Sequence, residues 1–185
     1  MRKGFTLIEI LVIVAISAML SSVAIIYSHT GQNQVALYVE AQKISQFILQ
    51  AKELSVSTYG NVGVSCGYGV AFDLSRQTYS IFSYVPAGAP PCPAAAGVNS
   101  IAPADMAQYT VGTWNVKPAP NIVMKDGGGS NDSIAYVLFY PPAPATILID
   151  NGAGLVHKTS HVYLSTSDNG VSTVVTVNTA GQVSL

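Results

Sequence analysis

The chain has 185 residues, 49% of them hydrophobic and only 9% charged, with a mean hydropathy of +0.39. A soluble enzyme of this size carries about 25% charged residues, so part of the chain is expected to sit in lipid or against a partner. The formal net charge of −1 and a pI near 6.2 exclude a global field that would draw nucleic acid or an anionic membrane surface, and the length suits one folded unit plus whatever the N-terminus adds.

The apolar excess lies near the N-terminus. Residues 10–27 read ILVIVAISAMLSSVAIIY, and no charged side chain falls between Glu9 and Glu40. A hydrocarbon core of about 30 Å takes roughly 20 helical residues to cross, so residues 5–27 are expected to form a membrane-spanning helix. Arg2 and Lys3 are the only charges before Glu9, which keeps residues 1–4 on the cytoplasmic side and sends the rest of the chain outward. A secretory signal peptide cut after the small-x-small site Ser22-Val23-Ala24 is the bland alternative. Its apolar run would exceed the usual ~7–15 residues, and it leaves Glu9 unexplained inside a segment where an acid costs roughly 2.5–3.5 kcal/mol to insert.

Arg2-Lys3-Gly4-Phe5-Thr6-Leu7-Ile8-Glu9, followed by an unbroken apolar helix, closely resembles the cleavage motif of type IV pilins and type II secretion pseudopilins. The resemblance implies cleavage by a prepilin peptidase between Gly4 and Phe5 and methylation of the new Phe5 amino group. It also implies a bacterial inner-membrane protein, single-pass with its C-terminal domain outside the cytoplasm, that later enters a pilus or pseudopilus. The implied partners are other pilin or pseudopilin subunits, the prepilin peptidase, an inner-membrane assembly platform and membrane lipid. Lacking a side chain, Gly4 lets extended backbone enter a tight protease cleft. Glu9 lies one helical turn beyond Phe5, where its carboxylate can pair with the amino terminus of a neighbouring subunit and set the axial register. The simpler role for Glu9 is an acid drawn to the positive end of a helix dipole.

Beyond the span, Leu37, Ala41, Ile44, Ile48, Ala51 and Leu54 recur at steps of three or four, with Glu40, Lys43, Gln46 and Lys52 between them. This is an amphipathic face for a sheet. One helix from residue 5 to about residue 55 would be near 75 Å long at ~1.5 Å per residue. The first proline is Pro86, so no proline kink is dictated, although Gly31 loosens the junction. The expected organisation is a leader at 1–4, a transmembrane and filament-core helix at 5–27, its amphipathic continuation at 28–56 and an extracytoplasmic β-rich domain at 57–185. The expected fold class is α+β, a pilin-like long helix packed on an antiparallel β-sheet.

In that domain Tyr68, Val70, Phe72 and Leu74 alternate, residues 74–77 make a turn and residues 78–85 return, forming a first hairpin. Residues 86–103, rich in Pro, Ala and Gly, read as a long loop that contains Cys92. Further strands are expected at 108–116, 122–125, 134–140, 146–150, 161–166 and 172–177, with the C-terminus pairing around 178–181. Cys66 and Cys92 are the only cysteines, and an oxidising exterior suits one disulfide between them; the sequence leaves the pairing open. The GYGVAFD hairpin and the ending Ala180-Gly181-Gln182-Val183 look more like the minor pseudopilin of the H class and its pilus relatives than a major pilin.

The loop holding Asp126 and Asp132 has a composition that binds calcium in some major pseudopilins, but it lacks the regular oxygen ligands of a dedicated calcium loop and a following glutamate. A plain turn is expected there, with no metal and no cofactor. His157 and His161, four apart, flank a predicted strand start and are expected to be exposed or capping. No nucleophile elbow, paired-cysteine zinc spacing or phosphate loop occurs, so no enzyme is expected. Arg76, Lys117, Lys125 and Lys158 are scattered, and no specific nucleic-acid partner is expected. The expected function is a structural subunit of a type IV pilus or type II secretion pseudopilus. The rival is a membrane-anchored or secreted β-rich binding module that never polymerises.

Overall fold

The computed structural model describes residues 6–58, 65–86, 91–95, 98, 101, 106–108, 115–127, 133–141, 145–150 and 158–185, with side chains throughout except at 24–30 and 106–108. A single helix, α1 (Leu7–Ser57), runs for 51 residues, about 76 Å at ~1.5 Å per residue. Thr6 caps its start, and at its end the Thr58 N–H and hydroxyl both donate to the Leu54 carbonyl (3.0 and 2.6 Å). Leu37, Ala41, Ile44, Ile48 and Ala51 are buried, as their spacing predicts, and Leu54 packs against them from a half-buried position. Burying each of the larger of these side chains is worth about 1.5–3 kcal/mol.

The strands are β1 (Gly67–Asp73), β2 (Thr78–Tyr84), β3 (Met106–Gln108), β4 (Ile122–Lys125), β5 (Ile134–Tyr140), β6 (Ala145–Asp150), β7 (Thr159–Thr166), β8 (Ser172–Asn178) and β9 (Val183–Ser184). They form two antiparallel sheets rather than the one expected: a five-stranded sheet ordered β3-β2-β1-β5-β6 and a four-stranded sheet ordered β4-β7-β8-β9. The expected hairpin is β1–β2, in register from Gly67↔Tyr84 to Asp73↔Thr78. Of the strand expected at 108–116, the described residues show the two ends: the short β3, paired to Phe82, Ser83 and Tyr84, reaches Gln108, and Val116 bridges Tyr79. Residues 109–114 lie outside the described residues.

The helix packs on the inner faces of both sheets. Its buried side chains meet Val70 and Phe72 of β1, Val137 and Phe139 of β5, Met124 of β4, Leu164 of β7 and Val175 of β8 in one core. Toward its C-terminal end two long-range bonds help tie it down: the Ser55 hydroxyl donates to the Phe139 carbonyl (2.8 Å) and Lys52 Nζ to the Gly181 carbonyl (3.2 Å). Gly181 turns the chain from β8 to β9 with φ +68, a conformation that costs residues other than glycine. A second core covers the outer face of the five-stranded sheet, where Phe82, Tyr84, Leu138, Ile147 and Ile149 are overlaid by Cys66, Val98 and Ile101.

Gln77, at φ 53 in the hairpin turn, joins the sheets. Its side-chain amide donates to the Met124 carbonyl (2.8 Å) and accepts the Met124 N–H (2.7 Å), so one side chain pairs with edge strand β4 as a neighbouring backbone would.

Candidate assembly surface

Thr6 has extended backbone angles and starts α1 with a reciprocal capping box. Its hydroxyl oxygen accepts the Glu9 N–H (3.4 Å), and Glu9 Oε2 accepts the Thr6 N–H (3.2 Å) and the Thr6 hydroxyl (3.2 Å). Two donors left open by the first helical turn are thereby satisfied, and a negative charge sits at the positive end of the helix dipole. The simpler role anticipated for Glu9 is thus present within one subunit. All of these groups face solvent, so the carboxylate stays open to an approaching cation. Gly4 and Phe5 lie outside the described residues.

Beyond this cap the helix is apolar on every side and bare. Leu7 is 82% exposed, Ile8 71% and Met19 72%, and Leu11, Val14, Leu20 and Val23 are exposed as well. Two of the serines within the run turn their polarity inward: Ser21 bonds back to the Ser17 carbonyl and Ser22 to the Met19 carbonyl (both 2.8 Å), satisfying their hydroxyls inside the helix. Among the described residues no helix is long and apolar enough to cross a membrane. The apolar stretch with described side chains, residues 7–23, extends about 25 Å, short of a hydrocarbon core of about 30 Å. An all-round apolar helical surface of this extent is a surface to be covered by lipid or protein.

Farther along, Val35, Tyr38, Val39, Leu49 and Val56 remain exposed on the side of α1 away from the sheets. The polar pattern needs one correction: Glu40, expected among the outward polar residues, is 1% exposed. Its Oε1 accepts the Tyr79 hydroxyl (2.8 Å) and its Oε2 accepts Lys43 Nζ (3.2 Å). The spacing held the signal, because Glu40 is three residues after Leu37 and four before Ile44, on the core side of the helix. Burial foremost, then the Glu40 hydrogen bond and charge, holds the Tyr79 hydroxyl well above the usual tyrosine range. The Phe47 ring packs edge-on against Tyr79 at 5.1 Å.

Cys66 and Cys92 form a disulfide with Cα atoms 5.6 Å apart. It fastens residues 91–95 across the outer face of the five-stranded sheet, where the Pro93 carbonyl accepts the Tyr140 hydroxyl. Asp126 accepts the Ser133 hydroxyl, and Ser133 Oγ accepts the Gly127 N–H (2.8 Å). Asp132 and His157 lie outside the described residues. Among the described residues no group of three or more His, Cys, Asp or Glu side chains gathers to hold a metal. His161 lies inside β7, half-buried, rather than at a strand start, with Nδ1 3.0 Å from the Thr176 hydroxyl. In the hairpin turn Asp73 accepts the Ser75 hydroxyl (2.6 Å) and the Arg76 N–H (2.9 Å). The serine hydrogen bond first, then the Arg76 backbone, holds this carboxyl below its usual range.

Residues 1–25 match the family model of the prokaryotic N-terminal methylation motif, which is the prepilin-type motif of type IV pilins and pseudopilins. The match takes in the capping box and the bare apolar stretch, and none of the β-rich part. The chain matches no curated protein and no solved structure. The motif supports a subunit processed by prepilin peptidase and points to a structural role rather than a catalytic one.

Proposed function

We propose, from the prepilin-type motif that residues 1–25 carry, that this chain is a structural subunit cut after Gly4, methylated on Phe5 and assembled through α1 into a type IV pilus or type II secretion pseudopilus. The observation that carries the reading is the division of one helix. Its first stretch is apolar and bare on all sides, whereas its second half packs one face against two sheets. Before assembly residues 5–27 span the inner membrane, with the β-rich domain outside the cytoplasm; on assembly neighbouring helices replace lipid around the same surface. The Glu9 carboxylate exchanges part of its own capping box for the Phe5 amino group of the next subunit, so two charges are removed from the apolar core together. Its partners are the peptidase, other subunits, the assembly platform and lipid.

The pilin-like fold, and within it the H-class minor branch, is the finer part of the proposal. It is supported by the GYGVAFD hairpin β1–β2 and by the C-terminal pair β8–β9 around Gly181. Intact mass and N-terminal peptides of protein from a host with a prepilin peptidase test the whole reading. The mature chain is expected to begin at Phe5 with one added methyl group, and replacing Gly4 with a bulky residue is expected to leave uncut precursor. A soluble product beginning at Ile25, as signal-peptide processing after Ala24 would give, overturns it in favour of a secreted β-rich module.

A further inference from the structure

A cavity of about 340 Å³ opens on the outer face of the five-stranded sheet, the side turned away from α1. Its floor follows from the register: Ser80 of β2, Ala71 of β1 and Tyr136 of β5 lie in one row across three strands. In the adjacent row, Phe82, Gly69 and Leu138 are in register, and the Phe82 ring lies over Gly69, where a Cβ would come within 2.7 Å of it. That row is filled, and the Ala71 row beside it is not. The Phe82 ring also meets Tyr136 edge-on at 6.1 Å, so Tyr136 stands as a fixed aromatic wall. The opposite end is the hairpin turn, with the Asp73 carboxylate and, 3.7 Å from it, the Arg76 guanidinium.

The hydroxyls of three side chains on this face make no bond within the described fold. Thr78 is 8% exposed and lines the cavity, and its hydroxyl has no hydrogen-bond partner among the described residues. The same holds for the hydroxyls of Ser80 and Tyr136. Three hydroxyls without a protein partner among the described residues thus belong to side chains that line one space. The volume is at the lower end of the ~300–1,000 Å³ typical of ligand clefts.

The chemistry narrows the occupant. Asp73 and Arg76 cancel in charge, so the rim does not select an anion. At the floor Ala71 is paired on both sides, to Ser80 and to Tyr136, so it offers no free backbone edge to an extended peptide. What is offered is a set of hydroxyls that both donate and accept, a carboxylate that accepts strongly and one aromatic face for an apolar surface. A pyranose ring presents the complement: hydroxyls around its edge and C–H groups on its face. We infer that this cavity is a sugar-binding site, with Tyr136 against the ring face, Asp73 accepting ring hydroxyls and Thr78 and Ser80 bonding to them from the floor. The inference does not depend on leader cleavage, and its failure would leave that reading untouched.

The test uses the full chain in a sugar-free detergent and follows binding by saturation-transfer NMR. The probes are the methyl glycosides of D-glucose, D-galactose and D-mannose, N-acetylglucosamine, and oligosaccharides ending in the same units. At least one probe is expected to saturate at millimolar concentration or below. Thr78→Val, which keeps the side-chain shape, is expected to weaken binding about tenfold, in line with one lost hydrogen bond of ~1.4 kcal/mol. Ala71→Leu, which fills the floor, is expected to abolish it, and Ser172→Ala on the other sheet to change nothing. Equal binding of a free glycoside and its oligosaccharide identifies the ring itself as the ligand, and tighter binding of the oligosaccharide identifies a chain-terminal glycan; either supports the site. No binding by any probe, or binding that Thr78→Val and Ala71→Leu both leave unchanged, overturns it.

Discussion

The Tyr79 hydroxyl donates to Glu40 Oε1 across 2.8 Å, joining the helix to strand β2 between residues 39 positions apart. Both side chains are about 1% exposed, so neither partner can exchange this bond for water. Loss of a partner therefore exposes the cost of burying the other. Tyr79→Phe is expected to destabilise the fold by about 1–3 kcal/mol, read from denaturant midpoints, because the carboxylate is left with Lys43 alone. The double replacement Glu40→Leu with Tyr79→Phe is expected to recover most of that loss, since an apolar pair removes the buried charge altogether. A Tyr79→Phe variant as stable as the parent would show that water reaches Glu40.

The same pair sets an alkaline limit. Tyr79 ionises in the unfolded chain near its ordinary value of 10.0 and in the folded chain well above it. The raised folded value means that its contribution is fully present below about pH 10 and is lost as pH climbs from there toward the raised value. Tyr140, raised by burial and then by the neighbouring Tyr84, acts in the same direction. Stability measured from about pH 9 upward should therefore fall, and fall less steeply in Tyr79→Phe. Identical slopes for the two proteins would contradict the assignment.

The Cys66–Cys92 bond closes a loop of sequence separation 26, for which chain entropy gives about 3.5 kcal/mol. Replacing both cysteines by serine should lower the unfolding free energy by that order and loosen residues 91–95 from the outer face. Protease nicking in this segment should then precede global unfolding. If cleavage there is as slow as in the oxidised protein, packing of Val98 and Ile101 holds the segment by itself.

Glu9 caps its own helix, and the proposed function gives it a second, separable job, pairing across subunits. Glu9→Gln keeps an oxygen for the Thr6 N–H but removes the charge, whereas Glu9→Ala removes both. Membrane insertion should survive both changes, because each deletes a polar cost. Incorporation into filaments, scored by shearing, should be lost equally in the two. Retained assembly in Glu9→Gln would mean that the cap, rather than the charge, matters.

Much of this architecture is legible in the sequence because it is written in local periods. The three-and-four spacing of Leu37, Ala41, Ile44 and Ile48 marks the buried helix face, and β4 and β5 fall where their apolar runs and flanking turn residues place them. The capping box is equally local, since Thr6 and Glu9 are three residues apart. The division into two sheets, the outer-face core and the Gln77 bridge to Met124 are not legible, because each depends on residues brought together from distant parts of the chain. The burial of Glu40 belongs to both groups: its position is periodic, and its partner Tyr79 is not. Of the anticipated cleavage site, Gly4 and Phe5 show their meaning only as letters in the motif.

The polar ties between helix and sheets carry a mechanical consequence. Glu40 to Tyr79, Lys52 to the Gly181 carbonyl and Ser55 to the Phe139 carbonyl are spread over about 22 Å of α1, and they end on both sheets. A pull along the helix axis loads all three in shear at once, together with the side chains packed between them, so none can fail before the others. A sideways pull on the bare end instead peels the helix away from Leu37 onward, one contact at a time. A rod gripped in this way resists tension along its length far better than bending across it.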